Sequence, residues 1–308
     1  MIGITNIGIH IAPETVNTVE QADAFGVSRS FIEEKIGITA VSRKKGAMRA
    51  SALCVAAYQD LVSGGSEAAV EGIDFVCVCT QNGDYRLPQT SAIVQHKLGL
   101  PSTCAAFDIA LGCSGYVYAL HVVMSFMESC GLHKGLLFTA DPYSEIIDPK
   151  DKNTALIFGD GASVTLMTED PVLSIGKGAF ATHGDMHDSL IKRENKSLSM
   201  NGRSIFNFSM LHVPPVVNDC LTANGIKREN VDLFLFHQAS RYVVDNLCQR
   251  IGLDPQKTPF VVKNYGNTVS SSIPIALKNY LKDSAFRTVL ICGFGVGLSI
   301  ASSLLRRT

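Results

Sequence analysis

The sequence predicts an α/β fold with layered sheets. Short apolar runs recur along the 308 residues without clean alternation, as strands covered on both faces do. Helical patterns lie between these runs, several of them ending in glycine. The second part of the chain also repeats the element order of the first.

The strand-like runs are residues 75–80 (FVCVCT), 135–140 (GLLFTA), 233–237 (LFLFH), 289–292 (VLIC) and 298–305. Helices are expected over 50–63, stopping at Gly64-Gly65, over 91–97, over 115–129, and over 242–251 before Gly252. Strands alternating with helices argue for covered sheets rather than a sandwich. The repeat sets GIDFVCVCT (72–80), the Cys113 region and GLLFTA (135–140) against NVDLFLFHQ (230–238), NYGNTVSSS (264–272) and TVLICG (288–293). Chance likeness between two α/β units gives the same signal. Duplication predicts halves 1–170 and 171–308, meeting at the charged MTEDP segment with no low-complexity linker.

Composition excludes several classes. A hydrophobic fraction of 46% with 18% charged residues supports a large core and argues against disorder. Basic and acidic residues number 27 and 28, so the field that nucleic-acid binding needs is missing. No apolar run is long enough to span a bilayer, and the first residues lack a signal-peptide pattern. A cytoplasmic protein is expected. The nine cysteines are odd in number and irregularly spaced, which argues against a disulfide framework.

Four segments carry chemistry. In DIALGCSGYVYAL (108–120) a strand-like stretch turns through Gly112-Cys113-Ser114-Gly115 into a helix. A cysteine there feels the positive end of the helix, which favours thiolate, and nearby backbone N–H groups can face an oxyanion. A core cysteine that happens to precede a helix reads the same way. His237 closes the LFLFH strand, and strand C-terminal ends are where α/β sheets place their sites. A hydrogen-bonded core histidine is the alternative. Asn267 follows a glycine in NYGNTVSSSIPI and offers a neutral donor, or ordinary turn chemistry. The glycines of CGFGVGLS (292–299) lack dinucleotide-loop spacing and suit a turn that presents backbone N–H groups.

Together these segments resemble the β-ketoacyl-acyl-carrier-protein synthase III group of the thiolase superfamily. The most specific matches are DIALGCSGYVYAL, IFGDGA (157–162), HQAS (237–240), YGNTVSSSIPIAL (265–277) and GFGVG (293–297). The resemblance implies a thiolase fold, with two similar halves in α-β-α-β-α layers. It implies a Cys113–His237–Asn267 site and an oxyanion hole from the N–H groups of Cys113 and Val296. Cys113 would be acylated by an acyl-CoA. His237 and Asn267 would then stabilise the enolate of a decarboxylating malonyl thioester. The resemblance implies no metal or redox cofactor, a homodimer, and an acyl carrier protein as partner. Gly202 and Phe206 match the tunnel-lining segment, and Phe294 would pack beside the site. Leu87 matches a loop that reaches across the dimer to the acyl pocket.

The chain departs from that group at the donor entrance. Phe31 stands where members carry Trp, and Lys35 and Lys152 replace arginines that bind phosphate bidentately. Ser240 replaces an amide, and Arg241 sits one position before the expected arginine, which is Tyr242 here. These departures point to a specialised paralogue. Alternatives on the same fold are an acyltransferase acting on a hydroxyl or amine, and a non-catalytic partner subunit. His183 and His187 suggest a solvated loop rather than a metal site, because Gly184 interrupts the helix that would align them.

Overall fold

The computed structural model describes residues 1–66 and 71–308. The strands expected from apolar runs form, with ends shifted by up to three residues: β4 (Phe75–Cys79), β6 (Lys134–Ala140), β11 (Leu233–Phe236), β12 (Thr288–Gly295) and β13 (Ser299–Arg307). They join β1 (Gly3–Ile11), β5 (Ala105–Ile109), β7 (Gly161–Thr168) and β8 (Leu173–Thr182) in one sheet. Its order is β11-β12-β13-β8-β1-β7-β6-β4-β5. From the centre outward both sides read alike. β1 and β8 each pair antiparallel with the last strand of their side, β7 or β13. Those pair antiparallel with β6 and β12, which pair parallel with β4 and β11. Within the sheet the two sides pair where Ile4 faces Leu173.

Helices divide this sheet into layers. The outer face of one side carries α1 (Ala50–Leu61) and α2 (Thr90–Lys97). Helix α3 (Gly115–Cys130) touches β4 and β6 on one side and β12 and β13 on the other. A short α4 (Lys152–Ala155) precedes β7. The opposite outer face carries α5 (Gly202–Ala223) and α6 (Arg241–Ile251), and α7 (Ser272–Lys278) lies beside α3 between the halves. The order is helix, sheet, helix, sheet, helix. The two inner helices bury apolar side chains on opposite faces, among them Tyr116, Val117, Leu120 and Val123 of α3.

The sequence also explains the ends. Helix α3 stops at Gly131 and α6 at Gly252, both left-handed with φ of 65° and 73°. Asn201 and Ser240 cap α5 and α6, accepting from Ser204 and Val243 N–H. Helix α5 holds Pro214 and Pro215 in its interior, against intrinsic preference. Burial of Val213, Val216, Val217 and Cys220 outweighs the lost hydrogen bonds. Two small hairpins complete the fold: β2 (Glu14–Asn17) with β3 (Ala40–Arg43), and β9 (Leu190–Lys192) with β10 (Leu198–Met200). All nine cysteines are free, and Cys130 is exposed rather than buried like the other eight. No helix among the described residues is long and apolar enough to cross a membrane.

Close packing of α1 on β1 depends on Gly8. A Cβ there would lie 2.4 Å from the Ala57 carbonyl oxygen and 2.7 Å from Leu61 Cβ. Gly8→Val is expected to cost about 1–3 kcal/mol of stability, read as a lower thermal midpoint.

Candidate active site

Cys113 sits in the turn between β5 and α3 and is 4% exposed. Strand β12 and the turn after it run directly against it. A Cβ on Gly293 would lie 2.6 Å from the Cys113 carbonyl oxygen, and one on Gly295 would lie 2.9 Å from its Sγ. Gly295 also has φ of 154°. These glycines therefore allow the close approach that brings the Val296 N–H to the thiol, where it and the Cys113 N–H face the sulfur.

Those donors do not make a thiolate at rest. Burial pushes the Cys113 thiol up to about 12, and the negative charge of Asp141 adds to the rise. The two N–H groups pull in the other direction but do not prevail. The expectation of a thiolate favoured by the helix end is thus corrected. Removal from water outweighs the two N–H donors.

His237 stands at the end of β11, 2% exposed, where its N–H donates to the Cys292 carbonyl at 2.8 Å. This continues the parallel pairing of β11 with β12 by one residue. Its Nδ1 lies 2.7 Å from Ser272 Oγ, and Asn267 Nδ2 lies 3.3 Å from its Nε2. A hydroxyl both donates and accepts, so Ser272 serves either imidazole tautomer. Phe294 meets the ring edge to face at 5.7 Å. Burial lowers the His237 pKa to about 3, so the ring is neutral at physiological pH.

Asn267 is held by its backbone and side chain together. Its N–H donates to the Ile157 carbonyl and its own carbonyl accepts from Gly159 N–H, at 2.8 and 2.9 Å. The Val269 N–H donates to Asn267 Oδ1 at 2.8 Å, which turns the NH₂ toward His237. Val269 takes φ of 55°, a conformation that costs a β-branched residue on the order of 1–2 kcal/mol. IFGDGA thus belongs to the site through its backbone: a Cβ on Gly159 would lie 1.9 Å from the Tyr265 carbonyl oxygen.

The three side chains line one apolar cavity of about 530 Å³. The cavity also reaches Phe31, Lys35, Lys152, Gly202, Phe206, Ser240 and Phe294, all expected from the sequence. At the mouth, Lys35 Nζ stands 4.6 Å over the Tyr242 ring, and Tyr242 stacks on Phe206 at 5.0 Å. Arg203 adds a third cation. Such a mouth suits phosphate and a flat ring. Ser240 spends its hydroxyl as the cap of α6. Arg241 points elsewhere, onto the Phe260 ring at 4.8 Å. Leu87 does not line this cavity and is 85% exposed. His183 packs on His212, ring centroids 4.0 Å apart, and no cluster of metal-binding type exists among the described residues.

Several residues here escaped the sequence reading. Asp141 is fully buried and accepts from Gln81 N–H (2.8 Å), Thr80 Oγ1 (3.2 Å) and the Ser270 hydroxyl. Ser270 and Ser272 lay within the quoted NYGNTVSSS motif, but a run of serines does not tell which one faces a histidine. Tyr143 carried no sequence signal.

Comparison with known proteins gives one family. The profile of 3-oxoacyl-[acyl-carrier-protein (ACP)] synthase III matches residues 107–184, and that of its C-terminal part matches 221–307. A curated relative from Halalkalibacterium halodurans, β-ketoacyl-[acyl-carrier-protein] synthase III 1, is 32% identical over 99% of this chain and 98% of its own. A solved 3-oxoacyl-(acyl-carrier-protein) synthase III superposes with a TM-score of 0.92 at 32% identity, covering 99% of each chain. The Thermus thermophilus enzyme of that name also gives 0.92, at 28% identity, again covering 99% of each chain.

Because the thiol is raised to about 12, alkylation of Cys113 by iodoacetamide is expected to climb with pH beyond 9 without levelling off. A plateau reached below pH 8 would show a thiolate site instead. Gly295→Ala is expected to distort the turn and slow that alkylation, read by peptide mass mapping.

Proposed function

The chain belongs to the β-ketoacyl-[acyl-carrier-protein] synthase III family, and we propose on that premise that it condenses an acyl-CoA primer with malonyl-acyl carrier protein through Cys113, His237 and Asn267. The observation that carries this is that those three side chains line one apolar cavity, with Asn267 against His237, together with the cations Lys35, Lys152 and Arg203.

In the first half-reaction the Cys113 sulfur attacks the acyl-CoA carbonyl. The C–S bond to CoA breaks, the thiol proton leaves with CoA-SH, and the acyl group stays on Cys113. The N–H groups of Cys113 and Val296, which face the sulfur, would donate to the oxygen that carries charge in the tetrahedral intermediate. Malonyl thioester then enters and loses CO₂. Its carbonyl oxygen becomes an enolate oxygen, which accepts hydrogen bonds from Asn267 Nδ2 and His237 Nε2–H. In that tautomer His237 Nδ1 accepts from the Ser272 hydroxyl. Both donors are neutral and already out of water, so little reorganises as the charge forms. The enolate carbon attacks the acyl-Cys carbonyl, and Cys113 leaves and regains a proton. The products are a β-ketoacyl thioester, CO₂ and CoA-SH, with one proton consumed.

The cations Lys35, Lys152 and Arg203 suit the phosphates of CoA or of a carrier-protein arm. The matching pairings on the two sides of the sheet support division into units 1–170 and 171–308. The exposed Leu87 and Tyr85 support a homodimer in which this loop covers a partner's site. Membership of the synthase III family supports a cytoplasmic enzyme that needs no metal.

Intact-protein mass after acetyl-CoA treatment is expected to show one acetyl adduct, absent in Cys113→Ala. Asn267→Ala is expected to keep the adduct and to lower CO₂ release from malonyl-acyl carrier protein by roughly 10²–10³. An adduct that forms while no CO₂ or β-keto product appears would refute condensation and favour plain acyl transfer.

A further inference from the structure

Burial keeps the His237 ring neutral, so it carries one ring proton and only one of its nitrogens can donate. The partner on the other nitrogen decides which. Asn267 Nδ2 and His237 Nε2 stand 3.3 Å apart, close enough to share one oxygen between them. The segment that follows Asn267 holds both side chains from behind. Val269 N–H donates to Asn267 Oδ1 at 2.8 Å, and Ser272 Oγ meets His237 Nδ1 at 2.7 Å. Ser272 opens α7, is fully buried and does not line the cavity. A hydroxyl alone can serve either tautomer, but this oxygen also accepts from Gln238 N–H at 3.5 Å. The side chain of Gln238 holds that peptide in place. Its Nε2 donates to the Phe236 carbonyl at 2.8 Å, and its Oε1 accepts from Val261 N–H at 2.9 Å. With an N–H already on the Ser272 oxygen, the hydroxyl proton is left for Nδ1.

We infer that Ser272 is a positioning residue for condensation: its hydroxyl donates to His237 Nδ1 and so keeps the ring proton on Nε2, the nitrogen beside Asn267. This rests on the condensation proposed above and adds the residue that makes His237 a donor. An amide is set once its oxygen is held, as Val269 holds that of Asn267. An imidazole is not, because its proton has two places to go. With the proton on Nδ1, Nε2 would turn a lone pair toward the enolate and repel it. Ser272 reaches the reaction through His237 alone. Acylation of Cys113 uses the N–H groups of Cys113 and Val296 instead, so it does not depend on the tautomer.

The test uses the full chain. In the wild type, NMR of isotope-labelled histidine is expected to show the His237 proton on Nε2, its signals assigned by their loss in His237→Gln. A proton found on Nδ1 overturns the proposal, and needs no Ser272 variant to fold. Ser272→Ala is expected to load acetyl from acetyl-CoA at the wild-type rate, read by intact mass. Its CO₂ release from malonyl-acyl carrier protein is expected to fall roughly 10-fold or more, in kcat rather than KM. Ser272→Thr keeps the hydroxyl and is expected to recover most of that loss. Unchanged CO₂ release in an acetyl-competent Ser272→Ala overturns the proposal. An equal loss in both half-reactions overturns it as well, since that marks packing alone. No acetyl adduct on the wild type would instead overturn the underlying reading of Cys113, and this inference with it.

Discussion

A buried carboxylate with no cation beside it ties the site together. Asp141 follows β6 and accepts hydrogen bonds from the end of β4, through Thr80 and Gln81, and from the turn after Asn267, through Ser270. Desolvation raises its pKa while those donors pull it back. Removing a carboxyl group from water is costly unless its oxygens are satisfied, so the segments that supply the donors are constrained to meet there. That meeting point joins one half of the molecule to the other. It fixes the strand ends beside Cys113, the Gln81 side chain next to Gly112, and the strained Val269 turn that orients Asn267.

The price of this construction is a neutral site. The sulfur, the imidazole and the amide are all removed from water, and two of the three have their pKa values moved away from the charged form. The backbone donors from the Val296 turn and from Cys113 itself are aimed at the sulfur before any charge exists. Such a site is poor at holding a resting thiolate and suited to charge that appears only in transit. The glycines of residues 293–297 have the same logic. They are the residues without a Cβ where one strand must run against the backbone of the cysteine turn.

Much of this was legible in the sequence. The apolar runs located five strands to within a few residues, because a doubly covered strand needs nearly every side chain apolar. The quoted motifs marked Cys113, His237, Asn267 and the glycine turn, because each sits where a strand gives way to a turn or helix. Strands β1, β7 and β8 were not singled out. Their Gly, Thr and Ser residues dilute the apolar signal. The two prolines of α5 oppose the longest helix among the described residues, which packs against β8 and β13 in spite of them.

By itself the sequence determined the class of fold, the order of its elements and the reactive residue types at their turns. All of these are properties of neighbouring residues: periodicity, glycine placement and caps. Only the tertiary structure decided which groups surround them. Asp141 lies 129 residues from Ser270, Tyr143 lies 62 from Gln81, and His237 lies 35 from Ser272. No local pattern encodes such pairings. They arise because two halves close over shared inner helices, and the polar groups trapped between them must find one another or remain unsatisfied.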